Sequence, residues 1–99
     1  MAQPVYKLWM SKFTPAWYDL TKEEQDKHGA KIDAALKQVG GEQLMVRVCV
    51  WASEEYDGWG VEKFPSVEAA QQYAMALFNM GHYKYITAKS ILGIDMPQM

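Results

Sequence analysis

The order of the predicted secondary structure elements is the strongest constraint on the fold of this chain. Two strand-helix-strand units follow one another, and the strands carry bulky apolar or aromatic side chains at both odd and even positions. This order folds most simply into a four-stranded antiparallel sheet with both helices on one face. The other face would expose a large apolar surface, which soluble monomers rarely do. We therefore expect a second copy of the chain to cover it in an obligate homodimer.

Turn and capping residues set the boundaries of these elements. Thr21 and Glu24 form a predicted capping box that starts the first helix, and Ser66 caps the second. Strands are predicted at residues 5–13, 43–51, 58–64 and 83–92, with helices at 22–38 and from 67 to just before 81. In the second strand both alternating sets of side chains are largely apolar, so we expect this strand to be central and covered on both sides.

Composition argues for one domain and against two classes of partner. The 99 residues, taken as a single domain over 1–99, include 13% aromatic residues, a proportion typical of a pocket or an interface. A formal charge of −2 and the lack of a basic run argue against nucleic acid and membrane partners. The sequence shows one cysteine, Cys49, no bilayer-spanning apolar stretch and no signal-peptide pattern. A cytoplasmic location is the expectation.

The junction into the second helix adds a family likeness, because it reads Phe64-Pro65-Ser66-Val67-Glu68-Ala69. With the element order and length, it resembles the dimeric α+β barrel superfamily, which includes cofactor-independent monooxygenases, muconolactone isomerase-like enzymes and haem-degrading monooxygenases. The resemblance covers most of the chain and implies a ferredoxin-like α+β fold, a homodimer closed as a barrel, and a small-molecule pocket in each subunit between sheet and helices. The Asn, Trp and His constellation of the haem-degrading branch is not matched, and no cofactor is predicted.

His82 is the leading candidate for a catalytic group. It lies in Gly81-His82-Tyr83, where the second helix gives way to the fourth strand and a side chain can reach the end of a pocket. An imidazole titrates near neutrality and suits proton transfer. Tyr83 and Tyr85 are candidates to orient a substrate oxygen through their hydroxyl groups. A hydrogen-bonded or exposed histidine at a helix end is the structural alternative for His82.

Arg47 is the most unusual residue of the second strand, because a charge at an inward or interface position is costly unless it is paired. Its expected partner is Glu62 on the neighbouring strand, with a ligand carboxylate as the alternative. Further candidate substrate-binding residues are His28, Tyr6, Trp9 and Trp17. His28 lies on the apolar stripe of the first helix, where packing alone would also account for it.

Two other kinds of site receive little support. The two histidines and one cysteine are far apart and show no metal-ligand spacing, so no metal is predicted. The segment Gly58-Trp59-Gly60 resembles the core of the RNA-recognition motif, which has the same element order. However, Asp57 stands where that motif places a basic residue, and Val61 stands where it places a stacking aromatic.

These observations lead to a functional hypothesis with two alternatives. The leading hypothesis is a small-molecule-binding dimer that acts as a cofactor-independent oxygenase or isomerase on a small apolar or aromatic metabolite. In it His82 transfers a proton, Arg47 anchors an anionic group and a tyrosine orients an oxygen. The first alternative is a non-catalytic ligand-binding or structural dimer, and an RNA-binding module is the third and weakest interpretation.

Overall fold

A computed structural model describes residues 3–97 and shows four strands, three helices and one 3₁₀ turn in that range. In chain order they are β1 (Val5–Phe13), α1 (Pro15–Tyr18), α2 (Lys22–Gln38), β2 (Glu42–Val48), β3 (Gly58–Phe64), α3 (Val67–Asn79), the 3₁₀ turn (His82–Lys84) and β4 (Ile86–Gly93). The strands form one sheet in the order β2-β3-β1-β4, and every neighbouring pair is antiparallel. The predicted α+β, ferredoxin-like fold is confirmed.

Local sequence signals account for the helix boundaries. The Thr21 hydroxyl accepts a hydrogen bond from the Glu24 amide, and the Glu24 carboxylate accepts one from the Thr21 amide, so the predicted capping box starts α2. The Ser66 hydroxyl accepts from the Ala69 amide and caps α3. Gly81 ends α3 with a positive φ of 75°, a conformation that favours glycine.

The prediction that β2 is a central strand is wrong. β2 lies at one edge of the sheet, and each of its residues is exposed. The physical reason is topological, because the two helical crossovers leave β1 and β3 in the centre and β2 and β4 at the edges. The strand also ends at Val48, short of the predicted end at 51, and a bulge lies between Gln43 and Met45. At the other edge, the predicted start of β4 at Tyr83 is a 3₁₀ turn.

The hydrophobic core lies between the central strands and helices α2 and α3. Phe64 on β3 is fully buried and Val5 on β1 is 2% exposed. The buried cluster around Phe64 joins the two helices through Ala35, Leu36, Ala69, Ala70, Tyr73 and Leu77. Burying a side chain the size of phenylalanine stabilises a fold by about 1.5–3 kcal/mol. This cluster therefore holds both helices on one face of the sheet.

The strand register divides the side chains between two faces. Odd-numbered residues of β1 face the helices, because Val5 lies opposite buried Phe64. The even-numbered residues of β1 and their cross-strand neighbours face away from the helices. We call that side of the sheet the open face. Its apolar members, read from the register, are Tyr6, Leu8, Met10, Met45, Trp59, Val61 and Ile91. Ile91 is 64% exposed, so no part of residues 3–97 covers this apolar face.

Within residues 3–97, no helix combines the length and the apolar character that crossing a membrane requires.

Candidate functional site

A pocket of about 320 Å³ lies between the sheet and the helices. This size is at the lower end of known small-molecule sites. The pocket has a mixed lining, with apolar walls and several convergent polar groups. The lining residues are Lys7, Trp9, Ser11, Phe13, Ile32, Gln43, Glu62, Tyr73, Leu77, His82, Tyr83, Ile86, Ala88 and Ser90. All four strands contribute, so the sheet forms the floor of the pocket and α2, α3 and the 3₁₀ turn form its opposite wall.

Two histidines that are 54 positions apart in sequence are in contact, and one of them, His82, lines this pocket. The Nε2 atom of His28 lies 2.9 Å from the Nδ1 atom of His82, and the two rings stack with centroids 5.2 Å apart. Both residues are buried, with 8% and 9% of their surface exposed. Because His82 uses Nδ1 for this hydrogen bond, its Nε2 atom remains for a ligand. The tautomer of the pair decides whether that Nε2 atom donates or accepts.

The environment of the histidine pair keeps it uncharged. Burial lowers the pKa of His82 to about 4, and the nearby positive charges of His28 and Lys7 act in the same direction. Burial also lowers the pKa of His28, with a smaller contribution from Lys31. Both imidazoles are therefore neutral near pH 7.

Aromatic side chains pack against His28 and hold the histidine pair in place. The rings of Tyr85 and Trp17 contact His28 edge-on, with centroid distances of 5.1 Å and 6.0 Å. Trp17 belongs to the short helix α1, which starts at Pro15, and it stacks on Phe13 at 4.7 Å. The segment after β1 thus supports the pair and lies beside the pocket.

A buried carboxylate lies in the pocket wall on β3. Glu62 is 3% exposed and is hydrogen-bonded by the Tyr73 hydroxyl. A second hydrogen bond is longer, with Gln43 Nε2 3.5 Å from Glu62 Oε2, and the Trp9 indole in turn donates to Gln43 Oε1 at 3.4 Å. Burial raises the pKa of Glu62, while Lys7 and the two hydrogen bonds oppose that rise.

The structure separates the sequence-predicted site residues into three groups. His82, Tyr83 and Trp9 line the pocket. His28, Tyr85 and Trp17 form the layer that supports His82. Tyr6 and Arg47 lie on the open face, on the other side of the sheet from the pocket.

The predicted ion pair between Arg47 and Glu62 is wrong. Arg47 lies opposite Trp59, is exposed, and donates to the neighbouring Val46 carbonyl at 2.9 Å. The register places Gln43, not Arg47, opposite Glu62. Since Arg47 and Glu62 point to different faces of the sheet, no side-chain rotation brings them together.

Sequence reasoning missed Lys7 and Gln43 as pocket residues and assigned Glu62 to the wrong partner. Lys7 and Glu62 lie directly opposite each other on β1 and β3, both facing the helices. A signal for this pair was present, because each is a charged residue on an otherwise apolar face of its strand. Within residues 3–97, no three His, Cys, Asp or Glu side chains converge in a way that could hold a metal ion.

Comparison with solved structures identifies the fold. An arginine-to-lysine mutant of chlorite dismutase from Candidatus Nitrospira defluvii matches with a TM-score of 0.77 and 13% identity, over 99% of this chain and 42% of that chain. The same protein in complex with imidazole matches with a TM-score of 0.74 and 15% identity, over 96% of this chain and 41% of that chain. The chain shares the fold of the matched part of chlorite dismutase. This likeness agrees with the fold that the predicted resemblance implies, and membership of the superfamily stays a prediction.

The comparison carries the fold and no reaction, because identity is far below the level at which site residues can be matched. The chain spans about 42% of the length of the chlorite dismutase chain. No protein-family model matches this sequence, and no curated protein sequence does either.

Proposed function

We propose that this protein binds a small aromatic or apolar metabolite in the pocket and acts on it as a cofactor-independent oxygenase or isomerase. The observation that carries the proposal is the buried His28–His82 pair in the wall of a mostly apolar pocket. His82 is the proton-handling group at the polar end, and Tyr83 contributes a hydroxyl beside it. Trp9 and Phe13 provide flat apolar walls that suit an aromatic ring.

Arg47 has no part in this proposal. The earlier expectation that it anchors an anionic group of the ligand required it to face the pocket, and it faces the other way. The positive charge that does line the pocket belongs to Lys7, and it is accompanied by the carboxylate of Glu62. A pocket with one group of each sign favours a neutral or weakly acidic ligand over a strong anion.

We further propose that the protein works as a homodimer paired through its open faces. The centre of that face is aliphatic, since Leu8 on β1 lies opposite Val61 on β3 and opposite Ile91 on β4. Contiguous apolar surface of this kind marks a protein interface. A second copy is the simplest partner, because it presents the same surface and satisfies twofold symmetry.

RNA binding is the competing use of the open face, because four cations lie on it: Lys12, Arg47, Lys63 and Lys89. Two of them already have partners in the β2–β3 loop. Lys12 donates to the Glu54 carbonyl at 3.1 Å, and Lys89 pairs with Glu55 at 3.7 Å. An aliphatic centre also gives bases little to stack on. These contacts favour the homodimer over an RNA module.

Ligand binding can be tested with 4-methylphenol, 1-naphthol and 1,4-dihydroxynaphthalene, which fit the size of the pocket. Thermal shift and saturation-transfer NMR should show saturable binding of at least one of them to the full chain. Ala88→Leu, which fills the pocket from β4, should abolish that binding. Thr87→Leu, the neighbouring change on the opposite face, should leave it intact. Binding that survives Ala88→Leu would place the ligand elsewhere and overturn the proposal.

A non-catalytic binding protein is the second candidate, and one observation favours it. A pKa of about 4 makes His82 a weak base at neutral pH. Oxygen uptake with 1,4-dihydroxynaphthalene separates the two candidates. Uptake above the buffer rate that disappears in His82→Ala supports catalysis, while binding without turnover supports the second candidate. A haemin titration should show no His82-dependent Soret shift, since such a shift would assign the pocket to haem.

A further inference from the structure

Glu62 is a buried ionisable group that the proposed function leaves without a role. We propose that Glu62 is the general base of the pocket, that His82 donates a hydrogen bond to the oxygen of the reacting molecule, and that the substrate is a small neutral unsaturated ketone or lactone whose double bond moves by a proton shift. This inference rests on the proposed function but assigns the proton transfer to Glu62 in place of His82. It selects the isomerase over the oxygenase and names the substrate class.

The carboxylate of Glu62 has unused acceptor capacity that faces the pocket. A carboxylate offers about four lone-pair sites. Tyr73 fills one, and Gln43 approaches a second at a long 3.5 Å. In the part of the chain that the structure describes, no cationic nitrogen comes within ion-pair distance of this carboxylate. A buried carboxylate in this condition is poorly satisfied, and a polar ligand in the pocket can approach it.

Lys7 is opposite Glu62 but makes no ion pair with it, because of where its Nζ atom lies. It lies directly opposite Glu62 across the β1–β3 ladder, where cross-strand neighbours normally touch. Its Nζ atom lies over the ring of Tyr73 at 5.6 Å from the centroid, away from a direct contact with the carboxylate. Lys7 therefore lowers the cost of a charged Glu62 through space and does not block its oxygens.

The surroundings of Glu62 suit proton abstraction from carbon. The titratable and polar groups that face it are Lys7 from β1, Gln43 from β2, Tyr73 from α3 and Tyr83 from the 3₁₀ turn. Burial raises its pKa, and a carboxylate with a raised pKa is a stronger base than one in water. Apolar walls beside it exclude water, which strengthens each electrostatic interaction in the pocket.

His82 complements this base as a neutral donor. When His28 donates from Nε2 to His82 Nδ1, the proton of His82 resides on Nε2, the other ring nitrogen of a side chain that lines the pocket. A neutral imidazole is well suited to hydrogen-bond an oxygen that becomes an enolate, because it gains no competing charge at the start of the reaction. The buried stack with His28 holds the ring in place while the charge on the oxygen develops.

The reaction is redox-neutral and needs no second reactant. The carboxylate of Glu62 takes a proton from the carbon between the carbonyl and the isolated double bond, so that a C–H bond breaks and an O–H bond forms. The electron pair moves into a dienolate whose oxygen accepts the His82 hydrogen bond. The new O–H of Glu62 can exchange with solvent, and Glu62 then delivers a proton to the far end of the dienolate. The carbonyl and the double bond end in conjugation, and the composition of the substrate is unchanged.

Cyclohex-3-en-1-one and α-angelica lactone are the probes, because both are small, neutral and able to make this shift. Wild-type protein in D₂O should accelerate formation of the conjugated isomer and deuterium exchange at the acidic C–H, followed by ultraviolet absorbance and NMR. Glu62→Gln keeps the size and the acceptor oxygen but removes the base, so the rate should fall by about 100-fold or more. Its probe affinity, measured by saturation-transfer NMR, should change by less than about threefold.

Two further variants control the interpretation. Glu42→Gln makes the same substitution at an exposed position on β2 and should leave the rate unchanged. Tyr73→Phe removes a hydrogen bond that lowers the pKa of Glu62, so the acidic limb of the pH–rate profile should move to higher pH. A purely structural role of Tyr73 would lower the rate without moving that limb.

Each outcome decides between the two proposals. Probes that bind without exchange above the buffer rate, or a Glu62→Gln rate within about threefold of wild type, overturn the role of Glu62 and leave the binding pocket standing. Binding of the naphthols but of neither carbonyl probe overturns the substrate class alone. Failure of every phenol, naphthol and carbonyl probe to bind overturns the proposed function together with this inference.

Discussion

The two faces of the sheet differ in where their polar side chains lie. On the helix-covered face, charged and polar side chains such as Lys7 and Glu62 lie in the middle of apolar walls and are partly or fully buried. On the open face, the middle is aliphatic and the cations lie at the strand ends and on the edge strands. Polar groups surrounded by apolar ones characterise a ligand site, whereas an apolar centre with a polar rim characterises a protein interface.

This contrast teaches that one sheet can separate chemistry from assembly by alternation alone. Neighbouring residues of β1 point to opposite faces, so Lys7 and Trp9 line the pocket while Leu8 and Met10 belong to the open face. Substitutions on one face should therefore change assembly, and those on the other face should change binding and pH response.

The largest expected effect comes from a charge at the centre of the open face. Val61→Asp would bury a carboxylate against a second copy, and a buried unpaired charge costs several kcal/mol. Sedimentation equilibrium should show a dimer for the wild-type protein and a dissociation constant at least about 100-fold higher for the variant. Met75→Asp, at a position 52% exposed on α3, should remain dimeric. A wild-type protein that is a folded monomer at micromolar concentration would remove the basis for this comparison.

A smaller effect is expected where the helix-covered face has no room for a methyl group. A Cβ atom at Gly60 would lie 2.6 Å from the Trp9 ring and 2.7 Å from the Met45 carbonyl oxygen. Gly60→Ala should lower the free energy of unfolding by about 2 kcal/mol and weaken binding in the pocket, because Trp9 must move. Gly93→Ala, where a Cβ meets nothing within 4 Å, is the matched control for urea unfolding. Equal stability of the two variants would contradict this account.

A comparable or slightly smaller effect on the free energy of unfolding is expected at low pH. The folded-state pKa of His82 is about 4, below the ordinary value of 6.5, so the unfolded chain binds more protons between these values. The contribution of His82 to stability is thus complete above pH 6.5 and is lost as the pH falls towards 4. We expect a loss of about 2 kcal/mol, reduced from the full linkage value by partial solvation. Urea unfolding of His82→Gln should show a flatter pH dependence, and an unchanged slope would show that His82 is not the responsible group.

The smallest expected effect is a gain in the free energy of unfolding from a substitution that changes neither face of the sheet. Gly29 lies inside α2, and a Cβ there meets nothing within 4 Å. Gly29→Ala should raise the free energy of unfolding by about 0.5–1 kcal/mol, because alanine loses less backbone entropy in a helix. Probe affinity and the dimer constant should stay at wild-type values. A change in either would show that α2 transmits strain to the pocket or to the interface.

Local signals in the sequence were sufficient for most of the fold. β1 and α2 have the predicted bounds, because Pro15 stops pairing after β1 and the Thr21 capping box fixes where α2 begins. The start of β4 was wrong because Gly81 is followed by a 3₁₀ turn that alternation alone does not reveal. The position of β2 was wrong because apolar residues on both faces of a strand indicate cover, and here no part of residues 3–97 supplies that cover.

Only part of the site could be predicted from the sequence, because its geometry depends on strand register and on contacts between distant positions. His82, Tyr83 and Trp9 were predicted from residue chemistry and position, and all three line the pocket. The contact between His28 and His82 joins positions 54 apart, and no local pattern encodes it. The error over Arg47 has a similar origin. The bulge in β2 follows the Gln43–Glu62 pair and changes the face of every side chain beyond it, including that of Arg47.

The shared backbone of β1 has a consequence for how this protein can change over time. The strand residues on either side of each β1 residue that lines the cavity belong to the open face. In the proposed homodimer, a substitution that widens or narrows the cavity by bending the strand would also disturb the fit between copies. Under that proposal, selectivity for a new metabolite and the affinity of association would have to be selected together.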